Sequence, residues 1–254
     1  MSLYVGDKLI LKGGQTSIED LTNYVKYLEN DVTQLVIPDN VTQLKYNAFA
    51  CSPKVKSIIV GKNVHSCSSS SFSDCQELEN VRFLGHIDSF SSSVFANCKN
   101  LKNIEFADIS KVTSISNYMF QGCESLTHID LSSCTQVWTI SSYAFSHCNN
   151  LQTFGDISKW TRLQTIGEWA FSNCYKLKAM DFSKCTQLTT IGKCAFFGCW
   201  SMPEIKLPST ITTIGDSAFS NCYELEAIYI DKPKDSISGA PWGASWAKVI
   251  WNGW

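Results

Sequence analysis

Arginine is almost missing from these 254 residues: Arg82 and Arg162 are the only two. With a formal net charge of −2, no basic stripe is available to follow a phosphate backbone, which argues against a nucleic-acid surface. No run of about 18 apolar residues occurs, so no membrane-spanning helix and no membrane insertion are expected. The chain also lacks a CxxC pair, a P-loop, an HExxH motif and a nucleophile elbow. The usual marks of nucleotide, zinc-peptidase and serine-hydrolase chemistry are therefore absent. Charged residues make up only 17%, and Ser, Thr and Asn supply much of the polar surface instead. The opening "MSLYVGDKLILKGG" has neither the basic region nor the apolar stretch of a secretory signal.

What the chain does have is a repeat. Phe49, Phe72, Phe95, Phe120, Phe145, Phe171, Phe196 and Phe219 stand 23 to 26 residues apart. Three residues after each Phe comes a cysteine, from Cys75 to Cys222, in every unit but the first, which has Ser52. Six after stands an apolar residue, such as Leu101, Leu126 or Leu177, and nine after another, such as Ile104, Ile129 or Ile205. The three-residue spacing of Phe, Cys and Leu predicts a short helical or 3₁₀ turn, and the alternation around the Ile predicts a strand. A second short strand fits "LTTIG" and its equivalents. The glycines of "IG" at 166–167, 191–192 and 214–215 are expected where the chain turns sharply. A unit this small cannot bury its own apolar face, so neighbouring units must stack.

The expected organisation is one solenoid over 1–254. Residues 1–31 form an N-terminal cap with a helix from the capping box "TSIE" (16–19) to about Glu29. The repeats occupy 32–230, and a Trp-rich C-terminal cap covers 231–254, with Trp242, Trp246, Trp251 and Trp254 closing the last coil.

The stretch "LTTIGKCAFFGCWSMPEIKLPSTITTIGDSAFSNCYELEAIYI" (188–230) resembles the BspA-like leucine-rich repeat of bacterial surface antigens and protist proteins. The pattern recurs over about 32–230, and "GAPWGASWAKVIWNG" (239–253) resembles a tail that follows such arrays. The resemblance implies an α/β repeat fold: a curved leucine-rich-repeat solenoid with parallel strands on the concave face and short helical or 3₁₀ turns opposite. It also implies adhesion or protein binding, at the cell surface or in secreted form, with an unidentified protein ligand as the partner.

The cysteine column is expected to hold small buried thiols rather than disulfides, because parallel side chains in a ladder, odd in number, cannot all pair. Cys134 and Cys185, in "SSCTQ" and "SKCTQ", are expected on the solvent side of inserted turns, where they would be oxidisable. The histidines His65, His86, His128 and His147 fall at different repeat positions and are expected not to assemble as a set. No cofactor, metal or catalytic residue is assigned.

Strand alternation sends the neighbours of the core Ile toward solvent. The candidate binding face therefore comprises Asn80, Arg82, Asn103, Glu105, His128, Asp130, Thr153, Asp181, Glu204, Lys206 and Tyr229. The expected function is a non-enzymatic protein-interaction module, a cell-surface adhesin or antigen. An intracellular leucine-rich-repeat scaffold is the alternative.

Overall fold

In the computed structural model, the described residues are 2–5, 8–11, 17–18 and 32–252. They form stacked coils whose strands fall into a long ladder and a short ladder, each divided into two sheets. The long ladder begins with an antiparallel pair, Ser2–Val5 and Lys8–Leu11. It continues in parallel through Gln34–Ile37, Ser57–Val60, Asn80–His86 and Asn103–Asp108. After a single bridge between His128 and Thr153, it resumes with Met180–Asp181, Glu204–Leu207, Ala227–Ile230 and Lys248–Trp251.

The short ladder is built from two-residue strands. Ser17–Ile18, Gln43–Leu44, Ser66–Cys67 and Ser89–Phe90 pair in sequence, and Ser114–Ile115 to Thr213–Ile214 form the other run. Ser17–Ile18 is thus a strand where the sequence suggests the start of a helix. The rest of that expected helix lies outside the described residues.

The core follows the repeat arithmetic. All eight repeat phenylalanines are fully buried, and successive rings stack at 5.2–5.8 Å between centroids with planes within 16° of parallel. Trp242 closes the column edge-on against Phe219, at 6.3 Å and 70°. Trp251 in turn meets Trp242 at 6.4 Å. Trp254 lies outside the described residues.

Among the described residues no helix forms. The three-residue spacing of Phe, Cys and Leu comes instead from consecutive tight turns, as in Cys98 N to Phe95 O and Leu101 N to Cys98 O. A helix is prevented because the residues two before and two after each Phe have positive φ, for example Ser93 (61°) and Asn97 (59°) around Phe95. The amides two before, at, and two after Phe point to the next coil instead: Asn47, Phe49 and Cys51 donate to the carbonyls of Ser69, Ser71 and Ser73. The segment read as helical is therefore a third ladder between coils.

The "IG" glycines are needed for a different reason from the one expected. None of Gly167, Gly192 and Gly215 has a positive φ. A Cβ at these positions would lie 2.6, 2.6 and 2.5 Å from the backbone nitrogens of Ser142, Glu168 and Lys193 on the preceding coil. Close approach of neighbouring coils, rather than a sharp turn, excludes a side chain here.

No disulfide joins the twelve cysteines. Each column thiol donates to the carbonyl of the Phe one coil back, as Cys148 Sγ does to Phe120 O at 3.1 Å and Cys174 Sγ to Phe145 O at 3.1 Å. In the first unit the Ser52 hydroxyl bonds its own coil's Phe49 O at 2.6 Å. Burial pushes the thiols of Cys98, Cys123, Cys148, Cys174 and Cys199 well above the ordinary range.

Cys134 and Cys185 are buried too, contrary to expectation, and burial pushes both up to about 12. The inserted segments carry their own tight turns (Cys134 N to Leu131 O, Cys185 N to Phe182 O), and these residues are buried in the core, as is Trp160 in the unit between them.

Candidate functional site

The outward row of the long ladder runs coil by coil. Asn80 pairs with Asn103 and Arg82 with Glu105 in register, and Lys206 with Tyr229 further along. Their side chains contact one another across coils. Asn103 Nδ2 donates to Asn80 Oδ1 at 2.8 Å, and Arg82 Nε lies 3.2 Å from Glu105 Oε2. His128 Nδ1 and Thr153 Oγ1 are 2.6 Å apart. Glu204 and Lys206 approach to 3.8 Å, and the Lys206 ammonium stands 6.0 Å from the Tyr229 ring centre. Every candidate on this face is exposed or half-buried, as strand alternation requires.

Two of the candidates have a local task. Asp130 Oδ1 accepts from the Ser132 amide at 3.0 Å and the Ser132 hydroxyl at 2.6 Å, and Asp181 Oδ1 accepts from the Ser183 amide at 2.9 Å. Asp108 and Asp156 repeat the motif with Ser110 and Ser158. These four Asp-x-Ser turns lead the chain away from the long ladder, Asp108 closing the six-residue Asn103–Asp108 and Asp181 the two-residue Met180–Asp181. Hydrogen bonds from the serines hold the carboxyls of Asp108, Asp130 and Asp156 below the usual range. Glu105 and Asp130 do not form an acidic pair, because Glu105 turns to Arg82 and Asp130 to Ser132.

The row ends in apolar residues. Val36 and Ile59 precede Arg82 in register, and Ile250 follows Tyr229, all half-buried. Beside Tyr229 and Ile250 an open groove of about 740 Å³ is walled by Tyr223 and Trp246 and edged by Glu224 and Glu226.

Tyr223 and Trp246 belong to a second feature, one that strand alternation does not reveal. Tyr175, Trp200, Tyr223 and Trp246 form a column on consecutive coils, with centroids 4.1, 6.1 and 6.1 Å apart. Trp200, Tyr223 and Trp246 are 44%, 62% and 46% exposed. The signal was in the sequence: Tyr175, Trp200 and Tyr223 each stand four residues after a repeat Phe. A shorter stack, Tyr118, Tyr143 and Trp169, has centroids 5.0 and 6.2 Å apart and carries φ values of 57°, 60° and 56°. That backbone costs an aromatic residue about 1–2 kcal/mol, and a ring pair returns about 0.5–1.5 kcal/mol.

The histidines are not all dispersed. His128 and His147 stand apart, but His65 and His86 stack at 4.2 Å between ring centres, and Asp88 approaches His86 Nε2 to 4.0 Å. The lengthened strand Asn80–His86 carries His86 to the corner where the short strand begins, next to His65 of the previous coil.

The model of the "BspA type Leucine rich repeat region" matches this sequence in six copies over residues 19–152 and 113–240. The chain belongs to this family. Its BspA-type repeats account for the Phe, Cys and Leu columns described above. Among solved structures, a leucine-rich cell surface protein of Faecalibacterium prausnitzii is similar, with 20% identity and a TM-score of 0.50. The match covers 96% of this chain and 86% of that one, and it shows the same fold. The leucine-rich repeat protein of T. pallidum has 18% identity and a TM-score of 0.45, covering 78% and 86% of the two chains. The pneumococcal vaccine antigen PcpA has 16% identity and a TM-score of 0.42, covering 99% and 74%. No curated protein matches the chain. Among the described residues no helix is long and apolar enough to cross a membrane.

Proposed function

We propose that this BspA-type solenoid is a non-enzymatic protein-interaction module, a cell-surface adhesin or antigen that binds a protein ligand on its strand face. The observation that carries this reading is the aromatic column bordering the groove beside Tyr229 and Ile250. Tyrosine and tryptophan with exposed rings next to a hollow are the residues that dominate protein interfaces when desolvated. The polar centre of the face, from Asn80 to Lys206, supplies the hydrogen-bonding rim, and the repeat supplies the extended surface. The surface location rests on the family and on the cell surface protein of similar fold.

A second reading, an intracellular scaffold, draws on the twelve cysteines without a disulfide, a pattern usual in reducing compartments. Antibody labelling of intact source cells separates the two. Label removed by protease shaving supports the adhesin, and label seen only after permeabilisation refutes it. For the face itself, surface-plasmon-resonance binding to extracellular-matrix and host-surface proteins is compared between wild type and Tyr223→Ala. At least tenfold weaker binding by the variant is expected, and unchanged binding to a ligand of the wild type would move the interface elsewhere.

A further inference from the structure

Among the described residues one group of side chains brings metal-ligating atoms of more than one kind together: His65, His86 and Asp88. One donor atom from each lies within 4.8 Å of the others, and all three residues are half-buried. The backbone beneath them is pinned from both sides. His65 N donates to Thr42 O, Asp88 N to His65 O at 2.8 Å, and Ile87 N to Asp108 O at 2.9 Å. The inter-coil spacing of the solenoid therefore sets the separation of the rings.

A hydrogen bond already selects the ligand atom of His65. His65 Nδ1 lies 3.3 Å from the His86 carbonyl oxygen. A carbonyl can only accept, so in the neutral ring Nδ1 is the donor and Nε2 is the nitrogen left to bind a metal. A ring nitrogen donating to a backbone carbonyl is the arrangement that orients and fixes the tautomer of metal-bound histidines. The Lys111 ammonium sits 3.2 Å from Asp88 Oδ1, while Oδ2 faces His86 Nε2 at 4.0 Å. Asp108, paired in register with His86, adds a second negative charge at the same corner.

We propose that His65, His86 and Asp88 bind a zinc-class divalent transition-metal ion. Two imidazole nitrogens and one carboxylate oxygen suit zinc, nickel or copper, whereas calcium and magnesium require oxygen ligands throughout. Tetrahedral bonds of about 2.0–2.1 Å place donor atoms about 3.3 Å apart. Closing from within 4.8 Å to that separation requires the half-exposed side chains to turn about their own torsions. Three protein ligands leave a fourth position open to water, so the site resembles an open zinc site rather than a closed structural one.

The test is isothermal titration of the tag-free chain with zinc chloride in a non-coordinating buffer, repeated with cobalt for its absorption spectrum. One ion per chain is expected, with no heat from calcium chloride. His65→Gln, His86→Gln and Asp88→Asn should each weaken binding at least about tenfold. His128→Gln and Cys51→Ser should leave it unchanged, with far-UV circular dichroism confirming that every variant folds. Thiolate charge transfer in the cobalt spectrum would assign the ion to cysteine and overturn the site. So would the absence of zinc binding, or binding that survives His65→Gln combined with His86→Gln.

Discussion

Replacing Phe145 by alanine tests the reading of the core at its centre. The ring is fully buried and lies between Phe120 at 5.3 Å and Phe171 at 5.2 Å, with Phe154 at 5.9 Å. Removing a buried phenylalanine costs about 3–5 kcal/mol, transfer and cavity terms together. The upper end applies here, because the rings on both sides are held by their own coils and cannot collapse into the gap. In a stack where each coil touches only its neighbours, the loss falls on the coupling between two half-stacks. All eight tryptophans lie at or beyond Trp138, so their fluorescence reports the C-terminal coils, whereas far-UV circular dichroism reports every strand. Urea titration of Phe145→Ala should therefore give two transitions that separate between these probes. A single coincident transition at the wild-type midpoint would show that the phenylalanine column does not carry the coupling.

Gly192→Ala places a methyl group 2.6 Å from the Glu168 amide nitrogen and 2.7 Å from the Gly167 carbonyl carbon, so a loss of about 1–3 kcal/mol in urea stability is expected. Titration of native thiols at pH 8 with an aromatic disulfide reagent should modify Cys51, the one exposed cysteine, promptly, and the other eleven only on unfolding. Hydrogen bonds and ion pairs hold the carboxyls of Asp39, Glu79, Asp108, Asp130 and Asp156 below their ordinary values. Groups of that kind stabilise the fold when ionised and lose the contribution as pH falls through the unfolded range near pH 4 and below. Urea midpoints should thus be level between pH 7 and about 5 and drop by pH 3.

The repeat was legible because every unit writes the same column at the same spacing. Phe, Cys and Leu recur in sequence, and the ring stack follows from stacking units that cannot bury their faces alone. The turn chemistry was harder to read. Three-residue spacing is shared by a helical turn and by consecutive tight turns, and only the residues between decide. Asn97, Asn173 and Asn221, two after Phe, favour positive φ, but Tyr118, Tyr143 and Trp169, two before it, argue against that conformation by residue type. The glycines of the "IG" pairs were equally ambiguous, since close approach and positive φ select the same residue. Cys134 and Cys185 were misplaced because an insertion reads as a surface loop until its own turns are seen to fold inward.

The candidate sites differ in the same way. The polar face could be drawn from strand alternation alone, since its residues occupy equivalent positions and differ only in chemistry. His65 and His86 could not, because they occupy different repeat positions and meet only across a diagonal between coils. That diagonal exists because Asn80–His86 runs seven residues where Ser57–Val60 runs four. A periodic scaffold makes columns predictable and hides what its irregular units bring together. In this solenoid the longest strand among the described residues leads directly to the corner where two imidazoles and the Asp88 carboxylate converge. A departure from the repeat is therefore the place to look for chemistry that the repeat itself does not encode.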